Sequence, residues 1–515
     1  MATPSEKLAA SLEVLKKIQG KGVIAIKSAE LSETHRVRLL KNGFIKEVVK
    51  GWYIATPPDE KQGDSTSWYA SYWHFCAQFL ADRYGEAYYI SPEQSLQIHS
   101  GSWTVPKQLI IRTEKGTNHI TPLHYETSLW NWGVPLPKKA AVVTIEGIRM
   151  LTLPSALVYS TPSVFKKNPR DVRICLAMIA DSSEILEILL EGGHTVIAGR
   201  LAGAFRNIGN SKIADDIVKT MQSADYNVKE ADPFEKSTAL VLSAKEKSPY
   251  VNRIRMMWHE MRDTVIKHFP KAPGLPHDHE KYMKQVEDIY TTDAYNSLSI
   301  ERYQVTPELI ENVRTGAWDS QNNTEDRKQK DAMAARGYWQ ATQKVRETII
   351  KILTGKNAGE VADADHGDWY RELFAPSVTA GILKPSDLAG YRNQQVYISN
   401  SMHVPINNNA VRDAMPTLFE LLKNEPEASV RAVLGHFMFV FIHPYMDGNG
   451  RMGRFLMNVM LASGGYPWTV IPVVERTTYM EALEKASVHT DIEPFAKFIS
   501  YLVSEGLKGT PVATI

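Results

Sequence analysis

The densest group of chemically active side chains in the 515-residue sequence is His443-Pro444-Tyr445-Met446-Asp447-Gly448-Asn449-Gly450-Arg451-Met452-Gly453-Arg454. A histidine has an ordinary pKa of about 6.5, so His443 is suited to accept a hydroxyl proton near neutrality. Asp447 is a hard oxygen ligand of the kind that holds Mg2+ together with phosphate oxygens and waters. Gly448, Asn449 and Gly450 form a connection through which a phosphate can approach backbone N–H groups, and Asn449 adds a side-chain donor. Arg451 and Arg454, three residues apart, share a helix face and can fork onto the outer phosphates of a polyphosphate. A base, a metal carboxylate and an anion cradle in one short run describe attack by an alcohol on phosphorus.

Two helices must hold this run. Pro444 ends an apolar helix over 429–442. A second helix starts near Arg451, with Met452, Phe455, Leu456, Val459 and Met460 as its buried stripe and the arginines opposite. The cradle therefore lies at a helix N-terminus, where unpaired N–H groups and the positive end of the dipole collect. Upstream, 320–331 is polar and reads as a solvated loop or helix end, and His277-Asp278-His279-Glu280 reads as a solvated acidic loop rather than a metal site.

The run resembles the Fic family signature H-P-F-x-[DE]-G-N-G-R-x-x-R at every functional position, with Tyr445 in place of Phe. The resemblance extends over roughly 250–505. It implies an all-α fold and transfer of AMP from ATP to a Tyr, Ser or Thr hydroxyl of a target protein or of the chain itself. His443 is then the base, Asp447 the Mg2+ ligand, Gly448 to Gly450 the phosphate cradle, and Arg451 and Arg454 the partners of the β- and γ-phosphates. The phosphate-transferring branch has lysine where Gly450 stands, so the glycine implies adenylylation.

Three further segments fit the same family. Residues 396–404 alternate around a Ser-Asn-Ser turn and read as a β-hairpin. The family's flap there implies docking of a target strand along Tyr397, Ile398, Met402 and His403. Tyr479, in Arg476-Thr-Thr-Tyr479, is implied to line the base pocket. Ser297 and Glu301 match the inhibitory motif [ST]-x-x-x-E-[GN], with Arg302 in its last position. This implies that Glu301 pairs with Arg454 where the γ-phosphate binds and suppresses transfer. In some relatives the same glutamate helps remove AMP by positioning a water. A homodimer is also implied.

The remaining half differs in charge. Over the whole chain 59 basic groups oppose 58 acidic ones, yet residues 1–50 carry ten Lys or Arg against five Glu, which is +5 and leaves −4 elsewhere. A helix is expected over 5–19, and Ser32 is placed to cap a second, ETHRVRLLK. Strands Ile45–Val49 and Trp52–Ala55 follow. The unit 1–58 is read as a winged helix-turn-helix, with His35, Arg36 and Arg38 reaching DNA bases and Lys46 and Lys50 meeting phosphates. Residues 59–225 read as a mixed α/β domain whose tryptophans serve core and interface packing rather than stacking on bases. Its segments AYYISPEQSLQIHSG and VVTIEGIRMLTLPSALV resemble the AbiEi-type antitoxin regulators, which implies a regulator-like half. A linker over 226–248, a Fic domain over 249–508 and a tail over 509–515 complete a multidomain chain. The competing reading is a DNA-binding transcriptional regulator whose C-terminal domain senses nucleotide. Cys76 and Cys175 are read as buried thiols of a reducing compartment. With no secretory signal and no apolar run long enough for a bilayer, the expected location is cytoplasmic.

Overall fold

Helix formation begins at Thr3. Its hydroxyl accepts the Glu6 N–H while the Glu6 carboxylate receives the Thr3 N–H, a capping box that opens the helix Pro4–Gln19. Ser32 Oγ accepts the His35 N–H to start Glu33–Lys41, and Gly43, left-handed at φ 73°, turns the chain just past its end. Strands β1 (Ile26–Lys27), β2 (Ile45–Val49) and β3 (Trp52–Ala55) form an antiparallel sheet in the order β1-β3-β2. Leu15, Ile26, Leu31, Leu39, Ile45 and Tyr53 make the core beneath it.

The computed structural model describes residues 3–61, 63–235, 246, 248–317 and 330–515. Positions 236–245 and 247 of the expected linker, and 320–329 of the expected polar loop, lie outside the described residues; Lys330 already begins a helix.

After the helix Thr66–Tyr84 come β4 (Tyr89–Ile90), β5 (Gln108–Thr113), β6 (Ile120–Pro122) and β7 (Ser128–Gly133). They pair in the order β4-β5-β7-β6, with β5 and β7 parallel. A hairpin of β8 (Val142–Ile145) and β9 (Ile148–Leu151) and helices between Leu153 and Ser223 follow. Trp68 and Trp73 are core as expected, but Trp130 and Trp132 stack on each other on β7, and Trp132 is exposed. Cys76 and Cys175 are both buried, and burial pushes the Cys76 thiol up.

The chain divides into two compact units. The first runs to Pro249 and also takes in Tyr397–Val404; the second comprises Tyr250–Val396 and Pro405–Ile515. The expected hairpin over 396–404 is corrected here, because no strand forms in it. Asn400 is left-handed (φ 58°) in a turn closed by Ser401 N–H on Ile398 O. The segment's polar groups go elsewhere. Asn400 Oδ1 accepts the Ser65 N–H at 2.9 Å, the Asn400 N–H meets Thr66 Oγ1 at 3.0 Å, and Met402 O accepts the Val105 N–H at 2.9 Å. Met402 and Val404 pack on the aromatic core of the first unit. Tyr397 and Ile398 are half-buried and His403 is buried, so these four residues do not form a free strand edge.

The second unit is helical among its described residues. The helices Lys330–Leu353 and Ala358–Thr379 pack along each other, and a Cβ at Gly337 would overlap the Leu373 carbonyl oxygen. Ala428–Ile442 and Asn449–Ala462 form the next pair, buried on nearly all sides. Residues 509–515 are not a detached tail: Ala513 is buried, and Thr514 O accepts a hydrogen bond from Asn296. Asp278 caps the helix His279–Asp288 through the Lys281 N–H, so the acidic loop is a helix start. No described helix is long and apolar enough to cross a membrane.

Candidate active site

The apolar helix Ala428–Ile442 stops at His443, which takes the left-handed conformation (φ 55°, ψ 60°) before Pro444. The His443 N–H still closes on Phe439 O at 3.0 Å. The half-buried imidazole places Nδ1 3.1 Å from Val440 O, and a carbonyl there can only accept, so Nδ1 carries the hydrogen and Nε2 the lone pair. Burial lowers the His443 pKa to about 4, with Arg392 adding to the effect, so the ring is a neutral base at physiological pH.

The connection is locked from within. Asn449 Oδ1 accepts the Tyr445 N–H at 2.9 Å and its Nδ2 donates to Tyr445 O at 2.9 Å. This corrects the expectation that Asn449 offers a donor to a ligand: its side chain is buried, and both ends are used to shape the loop. Gly448 is left-handed (φ 82°), and a Cβ there would stand 2.8 Å from the Phe374 ring. Asp447 is mostly exposed; Oδ1 accepts the Gly448 N–H at 2.6 Å and Oδ2 lies 3.7 Å from Arg451 Nη2. One outward-facing carboxylate beside a helix N-terminus suits a Mg2+ ion shared with phosphate oxygens. Among the described residues no group of three His, Cys, Asp or Glu converges on a metal.

Both arginines project toward the last turn of the helix Tyr290–Ile300 and the residues just after it, and this overturns their placement opposite the buried face. Arg451 is 1% exposed, with its guanidinium 5.2 Å from the Tyr303 ring centre and 5.0 Å from that of Phe374. Arg454 is 3% exposed. Its Nε donates to Ser297 Oγ at 2.8 Å, and its Nη2 to Ser297 O at 3.0 Å and Glu301 Oε1 at 2.8 Å. Burial raises the Glu301 pKa, but Arg454, Arg451 and Arg476 together outweigh it and hold the carboxyl below its usual range. A Cβ at Gly450 would overlap Glu301 Oε1, so the glycine gives the glutamate its seat. Arg302 adopts φ 68°, a conformation glycine or asparagine takes at lower cost, so the position suits the motif's Gly or Asn and the arginine there carries a backbone cost.

Tyr479 does not line an open pocket. It is 1% exposed, and its hydroxyl lies 2.8 Å from Nε2 of the buried His436, because its helix turns that face toward Phe495 and Phe498. Three supporting residues had no role assigned from the sequence. Arg476 Nε donates to Ile300 O, Asn296 Oδ1 accepts the Val473 N–H, and buried Asp293 receives the Tyr338 hydroxyl at 2.7 Å.

In the first unit, the candidate base-reading residues turn inward. His35 Nδ1 is 2.9 Å from Ser11 Oγ, Arg38 donates to Lys7 O and Ser11 Oγ, and Arg36 reaches Ser28 O. Lys46 lies over the Tyr125 ring, while Lys50 is exposed. The outer face of the helix 33–41 carries Thr34, Val37 and Lys41 instead, because His35 and Arg38 are turned to Lys7 and Ser11 of the helix Pro4–Gln19.

Residues 367–461 match the model of the Fic/DOC family. Over 252 residues, 48% of its length, the chain is 25% identical to a protein adenylyltransferase Fic of Nematostella vectensis, of which 55% is covered. Over 124 residues it is 36% identical to a protein adenylyltransferase Fic of Drosophila willistoni, which is 23% of this chain and 24% of that relative. The chain thus spans about half of the first relative and a quarter of the second. A solved fragment of Fic-1 from C. elegans aligns with 64% of this chain and 91% of its own, at 19% identity and a TM-score of 0.37. His443 to Arg454 lie wholly inside the matched stretch.

Proposed function

We propose that the protein transfers AMP from ATP to a Tyr, Ser or Thr hydroxyl of a protein, and that Glu301 restrains the transfer. The observation that carries this reading is the neutral His443, its Nε2 lone pair free, on the loop that leads into the helix N-terminus bearing Arg451 and Arg454. Nε2 accepts the hydroxyl proton as the oxygen bonds to the α-phosphorus, and the bond to the leaving pyrophosphate breaks. N–H groups at the start of the helix Asn449–Ala462 and the two guanidiniums balance the phosphate charge. Asp447 would hold Mg2+, which adds positive charge at the same phosphates.

Glu301 occupies the Arg454 guanidinium that a γ-phosphate needs, which supports the restraint. Wild type, Glu301→Gly and the double variant Glu301→Gly/His443→Ala are incubated with Mg2+, α-labelled ATP and cell protein. Glu301→Gly is expected to label protein faster than wild type, and the double variant not at all. Equal labelling by Glu301→Gly and the double variant sinks the transfer reading.

We further propose that residues 1–58 act as a winged helix-turn-helix that brings the protein to DNA. The order helix, β1, helix, β2, β3, the sheet order β1-β3-β2 and the +5 charge over 1–50 support it, with Lys50 at the β2–β3 turn placed for a phosphate. Duplex binding is expected to weaken with salt and to vanish without residues 1–58; binding indifferent to both counts against it.

A further inference from the structure

Arg392 is 1% exposed, and every hydrogen bond described for its guanidinium ends on a backbone carbonyl. Nε donates to His443 O at 2.7 Å, Nη1 to Gln394 O at 2.9 Å, and Nη2 to Ile406 O and, at 3.5 Å, to Ile442 O. Its own backbone N–H donates to Pro444 O at 2.9 Å. One residue therefore takes up the carbonyls of three successive residues, 442 to 444. It also takes up the carbonyls of Gln394 and Ile406, which stand on either side of 397–404 in the chain.

These carbonyls need such a partner. Those of Ile442 and His443 lie at a helix C-terminus, where the last C=O groups have no partner in the helix and the dipole is negative. His443 is held in a left-handed conformation that residues with a Cβ avoid unless their surroundings enforce it. A buried guanidinium is tolerated only when its donors are satisfied, and its planar fork reaches several acceptors at once where an ammonium cannot. Burial lowers Arg392 to about 10, so it stays charged at neutral pH, and that charge opposes protonation of His443.

We infer that Arg392 is a positioning residue for the reaction: by clamping the carbonyls of Ile442, His443 and Pro444 it fixes the His443 imidazole with Nε2 presented, and it ties that loop to Gln394 and Ile406. Arg392 acts through His443 and does not itself contact ATP. The inference rests on the transfer reading above.

The test uses full-length Glu301→Gly protein as parent, with Arg392→Lys and Arg392→Gln added to it. At saturating ATP, kcat is expected to fall roughly tenfold or more in both, because a displaced base loses its alignment. The Kd for ATP is expected to stay within about twofold, because no ground-state contact is removed. In samples with labelled histidine, the His443 Cε1–H resonance, assigned by its loss in His443→Ala, is expected to move while that of His436 stays. A kcat within about threefold of the parent overturns the inference, and so does a loss of ATP affinity that accounts for the whole fall. Should Arg392→Gln fail to fold, Arg392→Lys alone decides. A parent that labels no protein defeats the transfer reading instead, and the His443 resonance then decides for Arg392: unmoved, the inference falls.

Discussion

Asp293 is a carboxyl group almost without water around it, and burial raises its pKa to about 6 although the Tyr338 hydroxyl donates to it. Its folded pKa exceeds the ordinary 3.8, so between these values the unfolded chain has lost the proton that the folded chain keeps. This group's contribution to stability is full below that window, falls as pH rises through it and is gone above about 6. Asp293→Asn keeps an acceptor for Tyr338 and removes the titration. The melting temperature of the variant relative to wild type is expected to rise from pH 4 to pH 7, and a constant difference across that range would falsify the assignment. The residues that touch a ligand in the proposed reaction were legible as types and spacing, since a base, a carboxylate and paired arginines are recognisable alone. Asp293, Arg392 and His436 were not, because a polar residue inside a helical or loop segment carries no local sign that folding will bury it.

At the scale of elements, the site depends on how closely helices approach. Gly337 lets the helix Lys330–Leu353 lie against the Leu373 carbonyl, and the next residue, Phe374, walls both Gly448 and Arg451. Gly337→Ala is expected to force the two helices apart and to cost about 1–3 kcal/mol, the usual range for overpacking. Thermal unfolding checks this, and a melting temperature equal to wild type would show that the helices adjust freely. Two element ends were readable: Ser32 as a cap of the helix Glu33–Lys41 and Pro444 as the terminator before the reactive loop act through local backbone chemistry. Residues 396–404 were misread for the converse reason. Their alternation fits a hairpin, yet their donors and acceptors are satisfied by Ser65, Thr66 and Val105, some three hundred positions away in the chain.

For the molecule as a whole, that segment means that the first unit is not a continuous piece of chain. Asn400 binds both Ser65 and Thr66, so Asn400→Ala is expected to speed amide hydrogen exchange at Ser65 and across 397–404, while the sheet β4-β5-β7-β6 keeps its protection. Exchange at those amides unchanged from wild type would show that Met402 and Val404 hold the segment by packing alone. Charge is divided on the same scale, with +5 over residues 1–50 and −4 over the rest. Salt is therefore expected to act on a partner of the N-terminal region more than on nucleotide binding, where Arg451 and Arg454 are buried.

The sequence by itself determined the reactive loop, the two helices that frame it and the two helices and two longer strands of 1–58, since each follows from local propensity, capping and a motif of fixed spacing; the short strand β1, which exists only by pairing with β3, it did not show. Only the tertiary structure decided which partners those groups meet. Arg454 faces Ser297 and Glu301, Asn449 closes on its own loop, Tyr479 is shut behind His436, and Arg392 clamps the carbonyls beside His443. Apart from the local closure by Asn449, such pairings join residues distant in the chain, and they are fixed by the demand that every buried polar group find a partner once the helices have packed.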